Sequence, residues 1–275
     1  MLKFSHYFQP KAPVQYPSNP TALTRTAARS TSVKPIASLM VGVLLWTVAQ
    51  QAAAIDTRRY FPIDLGATWT TRTTPVPSAG DPLPPYTTVS TMVAGPVVNG
   101  RKTSKLSWSN DNGDTERTAG VYVNDSTGTQ LVAVVQMAPD AMRAECLPRP
   151  SSPHYILPGK VSVGQIFSGT LVANCDGAVV DTLVTTTVLG FATTTVPAGT
   201  FRTLNFKRVV DVRVTQPGKP RAGWKEISMI SFAKDVGLVK DVTESFFTGL
   251  ALELTETEVL VSTNRKYDPL DQHDQ

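Results

Sequence analysis

Residues 203–215 alternate between apolar and polar side chains, which is the pattern of a β-strand with one buried and one wet face. Because successive side chains of a strand point to opposite sides of the sheet, this alternation predicts antiparallel pairing with one face against a core. The apolar positions are Leu204, Phe206, Val210, Val212 and Val214. Arg208 interrupts them and is predicted to lie on the same face.

Further strand-like runs, separated by turn sequences, follow one another from residue 86 onward. They are rich in Thr and Val, whose β-branched side chains favour a half-buried sheet surface. Asn99-Gly100 and Pro197-Ala198-Gly199 are typical of tight turns, whereas the proline-rich residues 139–160 predict a long loop. The sequence therefore predicts an all-β fold with little helix. We expect a single strongly curved antiparallel sheet of about ten strands, a half-barrel or open barrel.

Residues 34–54 have the order of an export signal. Lys34 precedes an apolar run at residues 36–49, and the small residues up to Ala54 follow it. This basic, apolar, small order is typical of a secretory signal peptide, and the run is shorter than the roughly 20 residues of a membrane span. We therefore expect cleavage after Ala54 and a periplasmic or secreted protein that does not span a membrane.

The export signal divides the chain into three expected regions. These are a leader and signal peptide at 1–54, a β-sheet domain at 55–263 and a disordered tail at 264–275. The whole chain has 26 Lys and Arg against 22 Asp and Glu, but residues 1–54 hold five basic side chains and no acidic one. The remainder is therefore close to neutral, with 21 basic and 22 acidic side chains. It lacks the positive charge typical of nucleic-acid binding, so no nucleic-acid partner is expected.

The two cysteines, Cys146 and Cys175, are expected to form a disulfide. Two cysteines in an exported protein usually pair. Closing their 29-residue separation would stabilise the fold by roughly 3.5 kcal/mol in the chain-entropy model. Two free buried thiols, or a metal or redox role, are the alternatives.

Candidate catalytic groups are few. The sequence contains no nucleophile-elbow, zinc-protease or nucleotide-binding motif. Ser151, Ser152 and His154 are neighbours in a proline-rich segment, whereas a catalytic triad assembles from separate segments, so a solvated loop is favoured. The question of enzymatic activity stays open with a non-enzymatic role favoured, and no cofactor or metal is expected.

Two groups of oxygen-bearing side chains admit more than one interpretation. Glu253, Glu256 and Glu258 lie in the last predicted strand, where a shift of apolar parity suggests a bulge near residues 255–257. They form either an exposed acidic face or a general acid–base pair across the sheet. Residues 110–116 are rich in Asn and Asp but miss the spacing of an EF-hand loop, so a hairpin turn is favoured over a calcium site.

Arg208 and the aromatic strand residues are the candidate binding groups. A buried guanidinium needs a carboxylate or carbonyl partner, unless an edge or bulge lets it reach water. Phe206, Trp224 and Phe232 would either fill a core or line an apolar cavity inside a curled sheet. These three aromatics and Arg208 are the possible ligand-facing residues.

Three segments together resemble a loose group of bacterial exported β-proteins and lipoproteins. Residues 60–69 read YFPIDLGATW, residues 196–201 read VPAGTF, and Trp224 precedes FAKDVGLVK at residues 232–240. Members of this group resemble the half-barrel lipoprotein carriers of the Lol type in architecture. The resemblance implies a curved β-sheet and an exported location.

Besides the less favoured enzyme, two non-enzymatic functions remain open for an exported protein of this kind. The first is a non-enzymatic protein that binds or carries an apolar or lipid-like ligand. The second is an envelope structural or protein-interaction protein without a small ligand. An apolar cavity of several hundred Å³ would favour the first, and an interior filled by its own side chains would favour the second.

Overall fold

The computed structural model describes residues 54–115, 118–136, 148–150, 154–175, 177–218, 222–247 and 251–266. All regular elements of these residues are β-strands. In chain order the strands are β1 (Ile55–Asp56), β2 (Thr68–Pro77), β3 (Tyr86–Ala94), β4 (Ser104–Asn110), β5 (Thr118–Asp125), β6 (Gly128–Gln136), β7 (Arg149–Pro150), β8 (His154–Pro158), β9 (Lys160–Val161), β10 (Ile166–Cys175), β11 (Ala178–Val196), β12 (Gly199–Thr215), β13 (Ala222–Ala233), β14 (Gly237–Phe247) and β15 (Ala251–Thr263).

Thirteen of these strands form one antiparallel sheet, which is nearly closed into a barrel. Strands β10 to β15 pair in chain order, β15 then pairs with β2, and β2 to β6 continue in chain order. The short strands β7 and β8 lie at the two ends of this series, and His154 of β8 reaches the backbone of Gly169 in β10. Strands β1 and β9 form a separate two-stranded sheet. The predicted all-β curved sheet is thus confirmed, with more strands than expected.

Local patterning predicted several elements correctly. In β12 the side chains of Phe206, Arg208 and Val210 are buried while that of Lys207 is exposed, as the alternation requires. Residues 99 and 100 form a hairpin turn in which both have positive φ, 49° for Asn99 and 73° for Gly100. This is the conformation for which the Asn-Gly sequence is favoured.

Strand β2 was not predicted, because its sequence TWTTRTTPVP contains two prolines. Proline cannot donate a ladder hydrogen bond and is normally confined to strand edges. The pairing of β2 with β3 ends at Thr73, and beyond that residue only β15 pairs with β2. Pro75 and Pro77 therefore lie where one side of β2 is an edge, although the strand lies inside the sheet.

The long loop predicted at residues 139–160 is wrong for its described part. Residues 154–158 form strand β8, which pairs with β6, and residues 149–150 pair with β10. This segment was misjudged because its strands are short and lack alternation. They pair at the point where the two ends of the sheet approach each other.

The main apolar core lies at one end of the sheet interior. Its fully buried large side chains include Phe201, Leu204, Phe206, Leu260, Ile230 and Phe232. A second, smaller apolar cluster further along β10 to β12 comprises Ala173, Val180, Val184, Val210 and Val212, with Trp224 packed against it. Buried polar side chains from several strands share the interior with these two clusters.

Several predictions fall outside the described residues. Residues 1–53 of the leader, residues 267–275 of the tail and Cys146 are among them, and only the backbone of Cys175 is described. The disulfide therefore stays a prediction. Asn264, at the start of the predicted tail, accepts a hydrogen bond from the Thr68 backbone N–H at 2.8 Å. No helix in the described part of the chain is long and apolar enough to cross a membrane.

Candidate functional site

Arg208 lies on the inner face of β12, where it is 4% exposed. Its strand neighbours on that face, Phe206 and Val210, are buried apolar residues, and its register partners are Thr186 of β11 and Ser228 of β13. The side-chain period of β12 positions the guanidinium in the interior, because Arg208 is two residues from both Phe206 and Val210 and therefore lies on the same face of the strand.

The guanidinium of Arg208 has an incomplete set of hydrogen-bond partners. Its Nε atom has no acceptor among the described residues. Burial lowers the pKa of Arg208, while the charges of Asp241 and Tyr122 favour the ionised form. A buried donor without a partner is costly, so this atom marks a position where a water molecule or a ligand oxygen would be stabilising.

Three carboxyl groups, those of Glu226, Asp241 and Glu258, share the interior with Arg208. Asp241 of β14 and Glu258 of β15 are direct register partners, and each is 8% exposed. Burial raises the pKa of Asp241, the neighbouring charge of Glu258 raises it further, and the charge of Arg208 acts in the opposite direction. Glu258 accepts a hydrogen bond from the Thr71 hydroxyl at 2.6 Å.

The sequence left open whether Glu253, Glu256 and Glu258 form an exposed acidic face. That interpretation is wrong for Glu258. Of the three, Glu253 is exposed, Glu256 is half-buried and accepts a hydrogen bond from Tyr86 Oη at 3.3 Å, and Glu258 is buried.

The pairing of β15 is irregular at two places. One lies next to residue 253, two residues before the predicted bulge at 255–257, where Leu254 pairs with Ser245 of β14 but Leu252 pairs with Phe246; the other lies between Leu260 and Ser262 on the β2 side. Glu258 and Leu260 lie between these two places and are buried, whereas Leu252 is 39% exposed.

Tyr122 of β5 and His154 of β8 are the other buried polar groups that interact with Arg208. Burial raises the pKa of Tyr122 to about 12, against the opposing charge of Arg208. Burial also lowers the pKa of His154 to about 4, and the charge of Arg208 lowers it further. The Nδ1 atom of His154 has no hydrogen-bond partner among the described residues.

The expectation of a solvated loop around His154 is wrong, because this residue is only 1% exposed. The ring reaches the main chain of Gly169, and a Cβ there would overlap the imidazole. Sequence patterning missed both His154 and Tyr122 as interior polar groups. For Tyr122 the available signal was its place between Val121 and Val123 in β5. The short strand β8 gave no such signal for His154.

The predicted ligand-facing aromatics occupy the two apolar clusters. Phe206 and Phe232 are fully buried and pack edge to face with ring centroids 5.9 Å apart, and Phe61 lies 6.1 Å from Phe232. Trp224 is half-buried against the smaller cluster. Phe206 is thus adjacent to Arg208 on the strand, whereas Trp224 lies toward the other end of β12, opposite Val212.

A small cavity lies in the main apolar cluster. It has room for about one water molecule, with a volume of about 20 Å³. Its lining includes Phe61, Trp69, Met92 and Leu238 together with Thr71, the hydroxyl donor to Glu258. This volume is far below that of a site for a lipid-sized ligand.

The acidic turn after β4 uses its oxygens to hold its own backbone. The Oδ1 atom of Asn110 accepts hydrogen bonds from the backbone N–H groups of Asn112 and Asp114 at 3.1 and 2.8 Å. Asp111 accepts one from the backbone N–H of Thr87 at 2.9 Å. Among the residues described, no group of three or more His, Cys, Asp or Glu side chains is placed to hold a metal ion.

Two of the three segments that carry the sequence resemblance meet in the structure. The indole Nε1 of Trp69 donates to the backbone carbonyl of Val236 at 2.6 Å, and Arg59, just before the first segment, pairs with Asp235. In the segment at 196–201, Phe201 is fully buried. These contacts join β2 and the segment before it to the turn before β14, and they contain no nucleophile or general base.

Comparisons with known proteins find distant structural similarity only. No model of a protein family and no curated protein matches the chain. A "putative lipoprotein" from Parabacteroides distasonis has a TM-score of 0.41 and 12% identity, covering 76% of this chain and 100% of its own. A "putative exported protein with YmcC-like fold" from Bacteroides fragilis has a TM-score of 0.35 and 11% identity with the same coverage. Similarities this distant carry no argument about fold or function here.

Proposed function

We propose that this chain is an exported, non-catalytic β-protein that binds an apolar, lipid-like ligand bearing an anionic group. The binding site is the interior of the curved sheet, and Arg208 is the counter-ion. The observation that carries the proposal is the buried guanidinium of Arg208, whose Nε atom has no acceptor among the described residues.

The surroundings of Arg208 support a ligand that is mostly apolar. Phe206 and Val210 flank it on β12, and Ile230 is buried on the adjacent strand. A side chain with a purely packing role in such a place would be apolar, since replacing buried ionic groups by apolar ones is often neutral or stabilising. An anionic ligand group would supply the missing acceptor. The described cavity of about 20 Å³ does not hold the rest of such a ligand, so the proposal requires the apolar side chains of the interior to rearrange around it.

The exported location is part of the proposal and rests on the sequence of residues 34–54. The strand order is compatible with cleavage after Ala54, because β1 begins at Ile55. Ile55 is buried and pairs with Val161, so removal of the leader would leave every described strand intact.

Extraction of the purified protein tests this function. The full-length gene is expressed with its leader, and the protein is purified from the periplasm without detergent. Organic extracts of wild type, Arg208→Met and Arg213→Met are compared by mass spectrometry. Arg213→Met is the matched control, because Arg213 belongs to the same strand, has a side chain 68% exposed and pairs with Asp211 on the outer face. We expect an anionic amphiphile in wild type and Arg213→Met, and its loss from Arg208→Met.

Equal amounts of the same ligand in all three proteins would contradict the role of Arg208. Absence of any co-purifying ligand from correctly folded wild type would contradict the proposed function. Folding of Arg208→Met is checked by its thermal transition, so that a loss of ligand is not confused with unfolding.

A second candidate function is an envelope structural or protein-interaction role without a small ligand. The filled apolar cluster favours it, since Phe201, Leu204 and Phe206 are fully buried and the cavity beside Phe61 holds about 20 Å³. An empty extract from folded wild type, together with a stable co-purifying envelope protein, would support this alternative.

A further inference from the structure

The hairpin of β10 and β11 is free of charged side chains over most of its length. Residues 161–175 and 182–201 contain no Asp, Glu, Lys, Arg or His, and β10 pairs with β11 along its full length. The side of a sheet that meets water is normally polar and often charged. The outer face of β12, for example, carries Lys207, Asp211 and Arg213. The uncharged hairpin is therefore unlike its neighbour in the same sheet.

Large apolar side chains are exposed at one end of this hairpin. Four of them, between 37 and 65% exposed, form what we call the apolar patch: Val163, Ile166, Leu189 and Phe191. The methyl groups of Val163 lie 3.4 and 3.6 Å from the position of a Cβ added to Gly190, which stands between Leu189 and Phe191. The backbone N–H of Gly164 donates to the carbonyl of Val188 at 2.8 Å. The turn before β10 is thus held against the irregular part of β11, and the exposed apolar side chains are neighbours.

The chain enters the described structure next to the apolar patch. Ile55, the first residue of β1, pairs with Val161, and Val163 follows two residues later. Residues 50–54 separate Ile55 from the apolar run at residues 36–49, which the sequence predicts to be the core of a signal peptide. Five extended residues span at most about 18 Å. While such a run lies in the membrane during export, this edge of the fold is held close to the bilayer surface.

Basic side chains border the uncharged stretches at the same end. Lys160 directly precedes the first stretch, and Arg202 directly follows the second. The guanidinium of Arg202 lies 4.4 Å from the ring centroid of Phe191, and Lys160 is exposed. Asp56, the register partner of Lys160, is paired with Arg58. Cations beside an exposed apolar surface match a bilayer, in which negatively charged phosphates lie above the acyl chains.

We propose that the apolar patch docks on the surface of a lipid bilayer. Val163 and Ile166 enter the outermost part of the acyl chains, and Arg202 lies at the level of the phosphates. A bilayer is favoured over a protein surface by the place where the chain enters the fold and by the basic border. The docking is peripheral, and it goes beyond the proposed function: it uses the exported location but not the ligand.

Vesicle flotation tests the docking. Protein purified from the periplasm is mixed with vesicles of phosphatidylcholine, with or without phosphatidylglycerol, and is floated on a density gradient. We expect wild type to float with both, and to bind about tenfold more tightly when phosphatidylglycerol is present, because basic side chains near the surface are attracted to anionic lipids. Ile166→Asp is expected to weaken binding about tenfold, since it replaces an apolar side chain that the acyl chains would cover. Met229→Asp is the matched control and should bind like wild type, because Met229 is also exposed but lies on β13 opposite Lys207.

Fluorescence quenching by brominated acyl chains reports insertion without a charged substitution. Ile166→Trp keeps the patch apolar and adds an indole at its most exposed position, whereas Met229→Trp adds one outside the patch. On vesicles of brominated phosphatidylcholine we expect stronger quenching for Ile166→Trp than for wild type, and no increase for Met229→Trp. The thermal transition of each variant shows that it is folded.

Three results would overturn the docking: no flotation of folded wild type with either vesicle, equal binding by Ile166→Asp and Met229→Asp, or equal quenching at positions 166 and 229. A wild-type dimer that Ile166→Asp converts to a monomer, without vesicle binding, would show that a second copy of the chain covers the patch instead. Vesicle binding by a protein whose organic extract contains no ligand would contradict the proposed function alone. A co-purifying ligand in a protein that binds no vesicles would contradict the docking alone.

Discussion

The buried side chains of the interior include the titratable groups Arg208, Tyr122, His154, Glu226, Asp241 and Glu258. Each of them loses hydration on folding, and each must be compensated by hydrogen bonds or by a neighbouring charge. For Glu258 the Thr71 hydroxyl provides such a bond. Arg208 Nε and His154 Nδ1 have no hydrogen-bond partner among the described residues. A bound molecule that hydrogen-bonds these two atoms would therefore stabilise the interior most.

His154 makes the stability of the fold depend on pH. Its pKa is lowered by burial to about 4 from an ordinary 6.5, so the unfolded chain binds a proton that the folded protein does not. The contribution of neutral His154 to the free energy of unfolding is therefore present above pH 6.5. It is lost as the pH falls toward 4, and the total loss is about 3 kcal/mol. We expect the urea midpoint of wild type to fall over this window more than that of His154→Gln.

The quantity to measure is the difference in urea midpoint between wild type and His154→Gln at each pH, because Asp241 changes the stability with pH in the opposite direction. Its pKa is raised by burial, so its contribution is lost as the pH rises above the ordinary value of 3.8. Because Asp241 is present in both proteins, its effect on the pH dependence largely cancels in the difference. Parallel pH profiles for wild type and His154→Gln would show that His154 is not the cause.

At the scale of the elements, β2 and β15 are joined through a side chain as well as through their ladder. Thr71 and Glu258 face inward from the two strands with a 2.6 Å hydrogen bond between them. The contact explains why Glu258 can be buried beside Asp241, since a bonded carboxylate is less costly than an unbonded one.

Thr71→Val removes this hydrogen bond while keeping the shape of the side chain. We expect a loss of about 1–3 kcal/mol in the free energy of unfolding, because the buried carboxyl group of Glu258 would lose the hydrogen bond from Thr71. Thr74→Val, on the exposed face of the same strand, is the control and should change stability by less than about 0.5 kcal/mol. Urea unfolding measures both, and equal effects would mean that the hydrogen bond contributes nothing.

The turn between β13 and β14 is the second element-level feature. Gly237 has φ of 96°, and a Cβ there would lie 3.3 Å from both Pro62 Cδ and Trp69 Nε1. The turn can therefore pack under the segment before β2, where Trp69 donates to the carbonyl of Val236. A side chain at position 237 would disturb both the backbone and this contact.

We expect Gly237→Ala to cost about 2–3 kcal/mol in the free energy of unfolding, from positive φ and crowding together. Gly100→Ala is the matched comparison, because Gly100 has φ of 73° but no atom within 4 Å of an added Cβ, so about 1 kcal/mol is expected there. Chemical denaturation of the two variants separates conformational strain from packing. A smaller loss at position 237 than at position 100 would remove the packing explanation.

At the scale of the whole molecule, the proposed export predicts a defined mature protein. Intact-mass measurement on protein from the periplasm should give a chain that begins at Ile55. Ala54→Tyr should retain the leader, because a large side chain at this position is not accepted in a small-residue cleavage site. A periplasmic wild-type species that still contains residues 1–54 would refute the cleavage prediction.

The disulfide between Cys146 and Cys175 is a second property of the whole molecule. Peptide mapping without reductant is expected to give one bridged pair, and reduction should lower stability by about 2–4 kcal/mol. Free alkylation of both thiols in the native oxidised protein would contradict it. Cys146→Ser and Cys175→Ser should then behave alike, since either change breaks the same bond.

Most of what the sequence predicted correctly depends on neighbours along the chain. The inner face of β12 followed from alternation within one strand, and the turn at Asn99-Gly100 followed from the φ preferences of two residues. The burial of Arg208 was likewise predictable from the parity of Phe206 and Val210. Side-chain period and turn chemistry are local, so a single sequence determines them.

The tertiary structure decided what depends on distant strands. Pro75 is compatible with β2 because β3 no longer pairs there. Glu258 faces inward because it lies between the two irregularities of β15, one next to residue 253 and one after Leu260. His154 is buried because β8 and β10 meet where the sheet nearly closes. Bulge position and sheet closure are set by pairing between segments far apart in the chain, and no local pattern encodes such pairing.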